Sequence, residues 1–223
     1  MLKVQDHYFK QAKKEGYVAR SAFKLDEIDE KFKLFWPSVR RIIDIGCAPG
    51  SRLQYASQRC QAFHRPGREE TKIIGFDLKK VMITIPYVTT YQQDITEKEK
   101  VREILNDELW IVNSPSPTSD WASVGGGLGG RINLIISDMA PDTLGDKGTD
   151  ALRSVWLIYE TMWMYEELLD PDGSFAIKVF MGPGFDDLVR YCREKRWVKT
   201  IHIFKPKSCR KESKETYIVR KVR

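Results

Sequence analysis

The sequence predicts an α/β fold in which a mostly parallel sheet carries helices on both faces. Two observations carry that expectation. Short β-branched runs alternate along the chain with longer segments whose apolar residues recur at three and four positions. The first strand-like run also passes through a turn, "DIGCAPGS", straight into a helix, the junction at which such sheets hold ligands beyond the carboxyl ends of their strands.

From Val18 to Phe35, the residues Leu25, Ile28, Phe32 and Phe35 form an apolar helix face, with Arg20, Lys24, Glu27 and Lys31 on another. Arg41–Ile45 is short and β-branched and reads as a buried strand; Gly46, Pro49 and Gly50 then turn it into a helix. "TKIIGFDL" (Thr71–Leu78) is a second strand, "YVTTYQQDI" a weaker third, and Glu97–Leu109 a helix. "INLIISDMAP" is a fourth strand, ending at Ser137 or Asp138. Asp150–Leu169 reads as a long helix stopped by "DPDG", where Pro171 and Gly173 make a turn. "SFAIKVF" is a fifth strand, "GFDDLVRYCREKRW" a helix, and "VKTIHIF" a sixth strand that pairs as an antiparallel hairpin with "ETYIVRKV". Asn113–Gly130 is rich in Ser, Pro and Gly, lacks a period, and is expected to be a flexible surface insertion. At this length, residues 1–223 are expected to form one domain.

Composition narrows the function classes. No apolar run reaches the length of a membrane span, and no leader segment is visible, so no membrane partner is expected. Cys47, Cys60, Cys192 and Cys209 are widely spaced without a C-x-x-C, and the histidines are His7, His64 and His202. That usage predicts a reduced, intracellular protein without a metal site, with the cytoplasm favoured, and a monomer is expected. Charge is unevenly placed: residues 1–41 carry +4, residues 199–223 carry +7, and the segment between them carries −5. Two basic ends suit a polyanion, of which nucleic acid is the commonest; a solvated surface is the alternative.

The turn after the first strand discriminates between ligands. A dinucleotide site wants G-x-G-x-x-G and a phosphate loop wants Gly-Lys-Ser/Thr, and G-C-A-P-G is neither. Acids stand at the strand ends instead: Asp77 after the second, Asp94 after the third, Asp138 after the fourth. A carboxylate at Asp77 can accept hydrogen bonds from ribose hydroxyls, and one at Asp94 can pair with an exocyclic amine of adenine. This pattern favours an adenosyl ligand carrying positive charge, S-adenosylmethionine, over a nicotinamide cofactor. Gly46, Ala48, Pro49, Gly50, Arg52, Asp77, Asp94 and Asp138 are its expected contacts.

Five stretches then occur in order: "EGYVARSAFKLDEID", "DIGCAPGS", "SDMAPD", "GSFAIKVFMGPGFDDL" and "KPKSCRKESKETYIV". Together the chain resembles the FtsJ/RrmJ family of RNA 2′-O-ribose methyltransferases from about Asp6 to the last strand. The resemblance implies a Rossmann-like class I methyltransferase fold, with a seven-stranded sheet whose last strand is antiparallel. It also implies a catalytic tetrad, Lys-Asp-Lys-Glu, which falls on Lys24, Asp138, Lys178 and Glu215. By this resemblance the substrate is a ribose 2′-hydroxyl, expected to be a uridine of large-subunit ribosomal RNA, with a ribosomal subunit as partner. A transfer-RNA or cap methyltransferase, or a catalytically silent RNA-binding or assembly factor, are the alternatives.

The residue types suit that chemistry. A ribose hydroxyl is a poor nucleophile until its proton is removed, and a lysine removes it only when neutral. Lys178 interrupts an apolar strand between Ile177 and Val179, which is costly without a purpose. Seen alone, Lys24 reads as an exposed helix lysine, Glu215 as a solubilising charge and Asp138 as a turn cap. Lys10, Lys13, Lys14, Arg20, Lys205, Lys207, Arg210 and Lys211 are the expected phosphate contacts with RNA. The chain departs from the family at Arg52, where the resemblance implies an aromatic residue near the methionine end of the cofactor. The Arg52 head is therefore expected to turn to solvent or to the methionine carboxylate, or else the pocket is altered.

Overall fold

The computed structural model describes residues 7–63, 71–109, 131–195, 200–210 and 212–221. In chain order these contain α1 (His7–Lys14), α2 (Ser21–Phe32), β1 (Arg41–Ile45), α3 (Ser51–Ala62), β2 (Lys72–Asp77), β3 (Val88–Gln92) and α4 (Lys98–Leu109). There follow β4 (Ile132–Ser137), α5 (Lys147–Glu167), β5 (Leu169–Phe180), α6 (Phe185–Glu194), β6 (Ile201–Phe204) and β7 (Glu215–Arg220).

All seven strands join one sheet in the order β3-β2-β1-β4-β5-β7-β6. The pairs β2–β3, β1–β2, β1–β4 and β4–β5 are parallel, whereas β7 runs antiparallel to both of its neighbours, β5 and β6. The expected β6–β7 hairpin is present. Sequence reading did not foresee that β7 inserts beside β5, pairing Lys178 with Tyr217 and Phe180 with Glu215.

Residues of the five inner strands are mostly buried, whereas the edge strands β3 and β6 are partly exposed, and alternate side chains of the inner strands feed two apolar layers. On one face Ile43, Ile45, Ile135, Phe175, Ile177 and Val179 pack with α4, α5 and α6. On the other, Ile42, Leu134, Ile136, Ala176 and Val219 pack with α2 and α3. The crossovers reverse direction between β1 and β4, so the open end of the sheet there is the place for a ligand.

Several boundaries differ from expectation. Helix α1 escaped sequence reading because Ala12 is its one buried residue, too few to set a period. Helix α5 begins earlier than Asp150, at Lys147, since Asp146 caps it by accepting from the Thr149 N–H at 2.7 Å. "DPDG" does not separate α5 from the next strand as a free turn. Strand β5 starts at Leu169, opposite Ile132, and the register then jumps to Ser174 opposite Leu134, so the extra residues are absorbed as a bulge. The expected insertion at 113–130 and the end of the helix at Trp197 lie outside the described residues.

Candidate active site

Two features meet at the carboxyl ends of the central strands, a cavity and a cluster of buried charges. The cavity has a volume of about 560 Å³ and is walled by the turn after β1 (Gly46, Ala48, Pro49), the segments after β2 and β3 (Asp77, Asp94), and the end of β4 (Asp138, Met139). Six of the expected cofactor contacts line it; Gly50 and Arg52 do not. Asp77 also builds the wall, because its carboxylate accepts the Ala48 and Lys79 backbone N–H groups, each at 2.8 Å. An ionised carboxylate has about four acceptor positions, so ribose hydroxyls still have somewhere to bind. Asp94 holds its own turn by accepting from the Thr96 N–H at 2.9 Å and the Thr96 hydroxyl at 2.8 Å.

Gly46 is demanded by position. Its φ is +72°, and a Cβ placed there would lie 2.8 Å from the backbone N and Cα of Met139. Gly46→Ala should cost roughly 2–4 kcal/mol, from left-handed backbone strain plus a clash with main chain that cannot yield. Gly16 has a φ of +80° but open space around it, so Gly16→Ala should cost about 1–2 kcal/mol from strain alone. Urea unfolding of the two variants checks the difference.

Strand alternation explains the charged cluster. Asp44 follows Ile42 on β1, Lys178 follows Ala176 on β5, and Glu215, Tyr217 and Val219 share one parity on β7. All of these face α2 and α3, which contribute Lys24 and Arg52. Lys24 is only 8% exposed and pairs with Glu215, so it is not the solvated helix lysine that it resembles in isolation. Glu215 also accepts from the Ser213 hydroxyl at 3.3 Å, and Cys209 approaches it at 3.6 Å. Lys178 is 7% exposed; its ammonium lies 3.0 Å from Asp138 Oδ1 and also donates to the Asp138 backbone carbonyl. All four residues of the expected tetrad therefore fall in one cluster, as two adjoining ion pairs.

Two further members, Tyr217 and Asp44, are not among the sequence-predicted residues, and a third, Arg52, is expected in another role. Tyr217 donates its hydroxyl to Asp138 Oδ1 at 2.9 Å, and burial, with Asp138 and Glu215 nearby, raises its pKa well above the usual phenol value and keeps it a donor. Its position two residues after Glu215 in a strand was the available signal. Asp44 is wholly buried; burial pushes its carboxyl up to about 6 against the pull of Arg52. Like Lys178, it interrupts an apolar strand, and that was its signal too. Arg52 is the third, and its expected orientation is corrected: the side chain is 5% exposed and turns inward, where Nη1 lies 2.7 Å from Asp138 Oδ2 and Nε lies 3.1 Å from Asp44 Oδ1. The buried carboxylates of Asp44 and Asp138 attract it more strongly than solvent does. Burial would raise the Asp138 pKa, but Arg52, Lys178 and Lys24 outweigh it and hold the group well below the usual carboxylate range.

Both basic ends pack against α2, at Phe23 and at Glu27. Tyr8 and Tyr17 contact Phe23 with ring centroids 5.9 Å apart, which seats α1, carrying Lys10, Lys13 and Lys14. Glu27 accepts the Lys207 and Ser208 N–H groups at 2.5 and 2.8 Å, which seats the β6–β7 connection. Lys10, Lys13, Lys14, Lys205, Lys207 and Arg210 are exposed, Arg20 is partly buried, and Lys211 lies outside the described residues. Among the described residues no helix is long and apolar enough to cross a membrane, and no His/Cys/Asp/Glu group is arranged to hold a metal ion.

Comparison with known proteins finds methyltransferases. Relatives described as ribosomal RNA large subunit methyltransferase E include one from Desulfosudis oleivorans, 37% identical over 97% of this chain and 90% of its own length. Another, from Rickettsia bellii, is 36% identical over 97% of this chain and 84% of its own. A Plasmodium falciparum crystal structure, described as a ribosomal RNA methyltransferase, superposes with a TM-score of 0.69 at 28% identity, covering 92% of this chain and 97% of that one. Human methyltransferase-like protein 13, solved in complex with SAH, shares the fold with a TM-score of 0.57 at 10% identity over 89% of this chain and 81% of that one. The FtsJ-like methyltransferase model matches residues 17–223, and the chain belongs to that family.

Proposed function

We propose that this protein transfers the methyl group of S-adenosylmethionine to a ribose 2′-hydroxyl of RNA, with a uridine of large-subunit ribosomal RNA as its target. The observation that carries the reading is the close approach of Lys178 to Asp138, which also walls the cavity, with Glu215 on the adjoining strand β7 paired to Lys24 of α2. The cavity fits the cofactor: its volume is in the range of small-molecule sites, and its acids, Asp77, Asp94 and Asp138, suit ribose hydroxyls, an amine and a cation. Gly46, Ala48 and Pro49 offer backbone at close range. When bound, S-adenosylmethionine supplies an electrophilic methyl group on a positively charged sulfur.

The rest falls to the chain. Lys178 Nζ receives the 2′-hydroxyl proton. As an ammonium it has three donors, and two point at the Asp138 carboxylate and carbonyl. A neutral amine keeps those two hydrogen bonds and turns its lone pair along the third direction, toward the hydroxyl. Lys24 and Glu215 flank that position and orient the ribose. The basic segments packed against α2 hold phosphates and fix the RNA without reading its sequence. Proximity and alignment supply much of the rate. The relatives named for large-subunit ribosomal RNA support that substrate.

The test uses purified protein, methyl-labelled S-adenosylmethionine, and ribosomal large subunits from cells lacking the gene. Label entering ribosomal RNA supports the reading. No incorporation into subunits or free RNA, with cofactor bound, refutes it.

A further inference from the structure

Arg52 occupies the centre of the charged cluster without touching the cavity. Its guanidinium reaches three elements at once. Nη1 binds Asp138 Oδ2 at 2.7 Å at the end of β4. Nη2 and Nε share Asp44 Oδ1 on β1, at 2.5 and 3.1 Å. Nη2 also donates to the Gly46 carbonyl at 2.6 Å, in the turn that walls the cavity. With Oδ2 of Asp138 engaged in this way, Oδ1 is left to meet Lys178 at 3.0 Å and the Tyr217 hydroxyl at 2.9 Å. A planar fork of donors can satisfy these acceptors together; a point-charge ammonium or an aromatic ring cannot.

We propose that Arg52 is a positioning residue for methyl transfer: it clamps Asp138 Oδ2 against Asp44 and the Gly46 carbonyl, so that Oδ1 is the oxygen presented to Lys178. This rests on the function proposed above. It also couples the two halves of the site, because one guanidinium braces the cavity turn and the carboxylate beside the proton acceptor. The charged and titratable groups around Asp138 and Asp44 are Lys24 from α2, Arg52 from α3, Lys178 from β5, Glu215 and Tyr217 from β7, Cys209 from the β6–β7 connection and Asp77 after β2. Removing Arg52 leaves Asp44 and Asp138 facing each other with their shared cation gone, so Asp138 takes up protons at higher pH. The Lys178 pairing is then weakened from the acid side.

The experiment compares Arg52→Met and Arg52→Lys with the wild-type full chain. Two quantities are read: the ¹³C NMR titration midpoint of the Asp138 carboxyl, assigned by its loss in Asp138→Asn, and kcat and KM for methyl transfer. Arg52→Met should raise the midpoint and lower kcat by about 10–100-fold with KM little changed. Arg52→Lys should recover stability and only part of kcat. A folded Arg52→Met protein with an unmoved midpoint, or with a moved midpoint and wild-type kcat, overturns the proposal. If Arg52→Met fails to fold, the double variant Asp44→Asn/Arg52→Met removes the buried pair together and carries the same two readings. The NMR midpoint needs no turnover, so absence of methyl transfer in the wild type counts against the proposed function and is distinguishable from failure of the clamp.

Discussion

Lys178→Ala should lower single-turnover methyl transfer by about 10²–10⁴-fold, the usual contribution of a positioned general base, while S-adenosylmethionine and RNA bind as in the wild type. The expectation follows from the two contacts that fix the Lys178 amine on Asp138 and leave one direction open. Lys178→Arg separates a proton-accepting role from a purely electrostatic one. Arginine keeps the cation beside Asp138 but does not release its proton in proteins. If the amine accepts the proton, Lys178→Arg should be as inactive as Lys178→Ala despite better stability. Rapid-quench measurements of label transfer, with calorimetry for cofactor binding, decide between them. Recovery of turnover in Lys178→Arg would remove Lys178 as the base.

Asp138→Ala should destabilise the fold by about 3–5 kcal/mol, because it strands buried cations without their carboxylate. Both neighbours are enclosed, Arg52 with 5% and Lys178 with 9% of the side chain exposed. The loss should appear as a lower urea midpoint at neutral pH. Its pH dependence has a definite sign. The Asp138 pKa is depressed in the folded protein, so its contribution is fully present above the unfolded carboxylate value, about 3.9. That contribution is lost as pH falls through the folded value, so the stability gap between wild type and Asp138→Ala should close below about pH 4. A gap that widens on acidification would contradict the ion-pair description.

The sheet was legible because its inner strands are β-branched runs buried on both faces, and that pattern survives in sequence. The placement of β7 between β5 and β6 was not, because neighbours within a sheet are chosen by long-range packing that no local period records. The positions of Lys178 and Asp138 were readable as polar residues in or at the end of apolar strands. Lys24 and Glu215 were readable only through the ordered motifs, since their pairing joins residues 191 positions apart. Arg52 was noticed as a departure and then misplaced: its side-chain direction depends on Asp44, which sequence reading had treated as part of an ordinary strand. Tyr217 was missed because an aromatic residue in a strand usually needs no polar explanation, although strand parity put it beside Glu215.

The most direct measurement is the position of the transferred methyl group. RNA labelled by this protein is hydrolysed in alkali, which cleaves the chain only where a free 2′-hydroxyl is present. Methyl transfer to ribose predicts label in alkali-resistant dinucleotides, with a uridine at the protected position, and none after Lys178→Ala. Label in mononucleotides would place the methyl group on a base and contradict the assignment of Lys178 and Asp138 to a ribose hydroxyl.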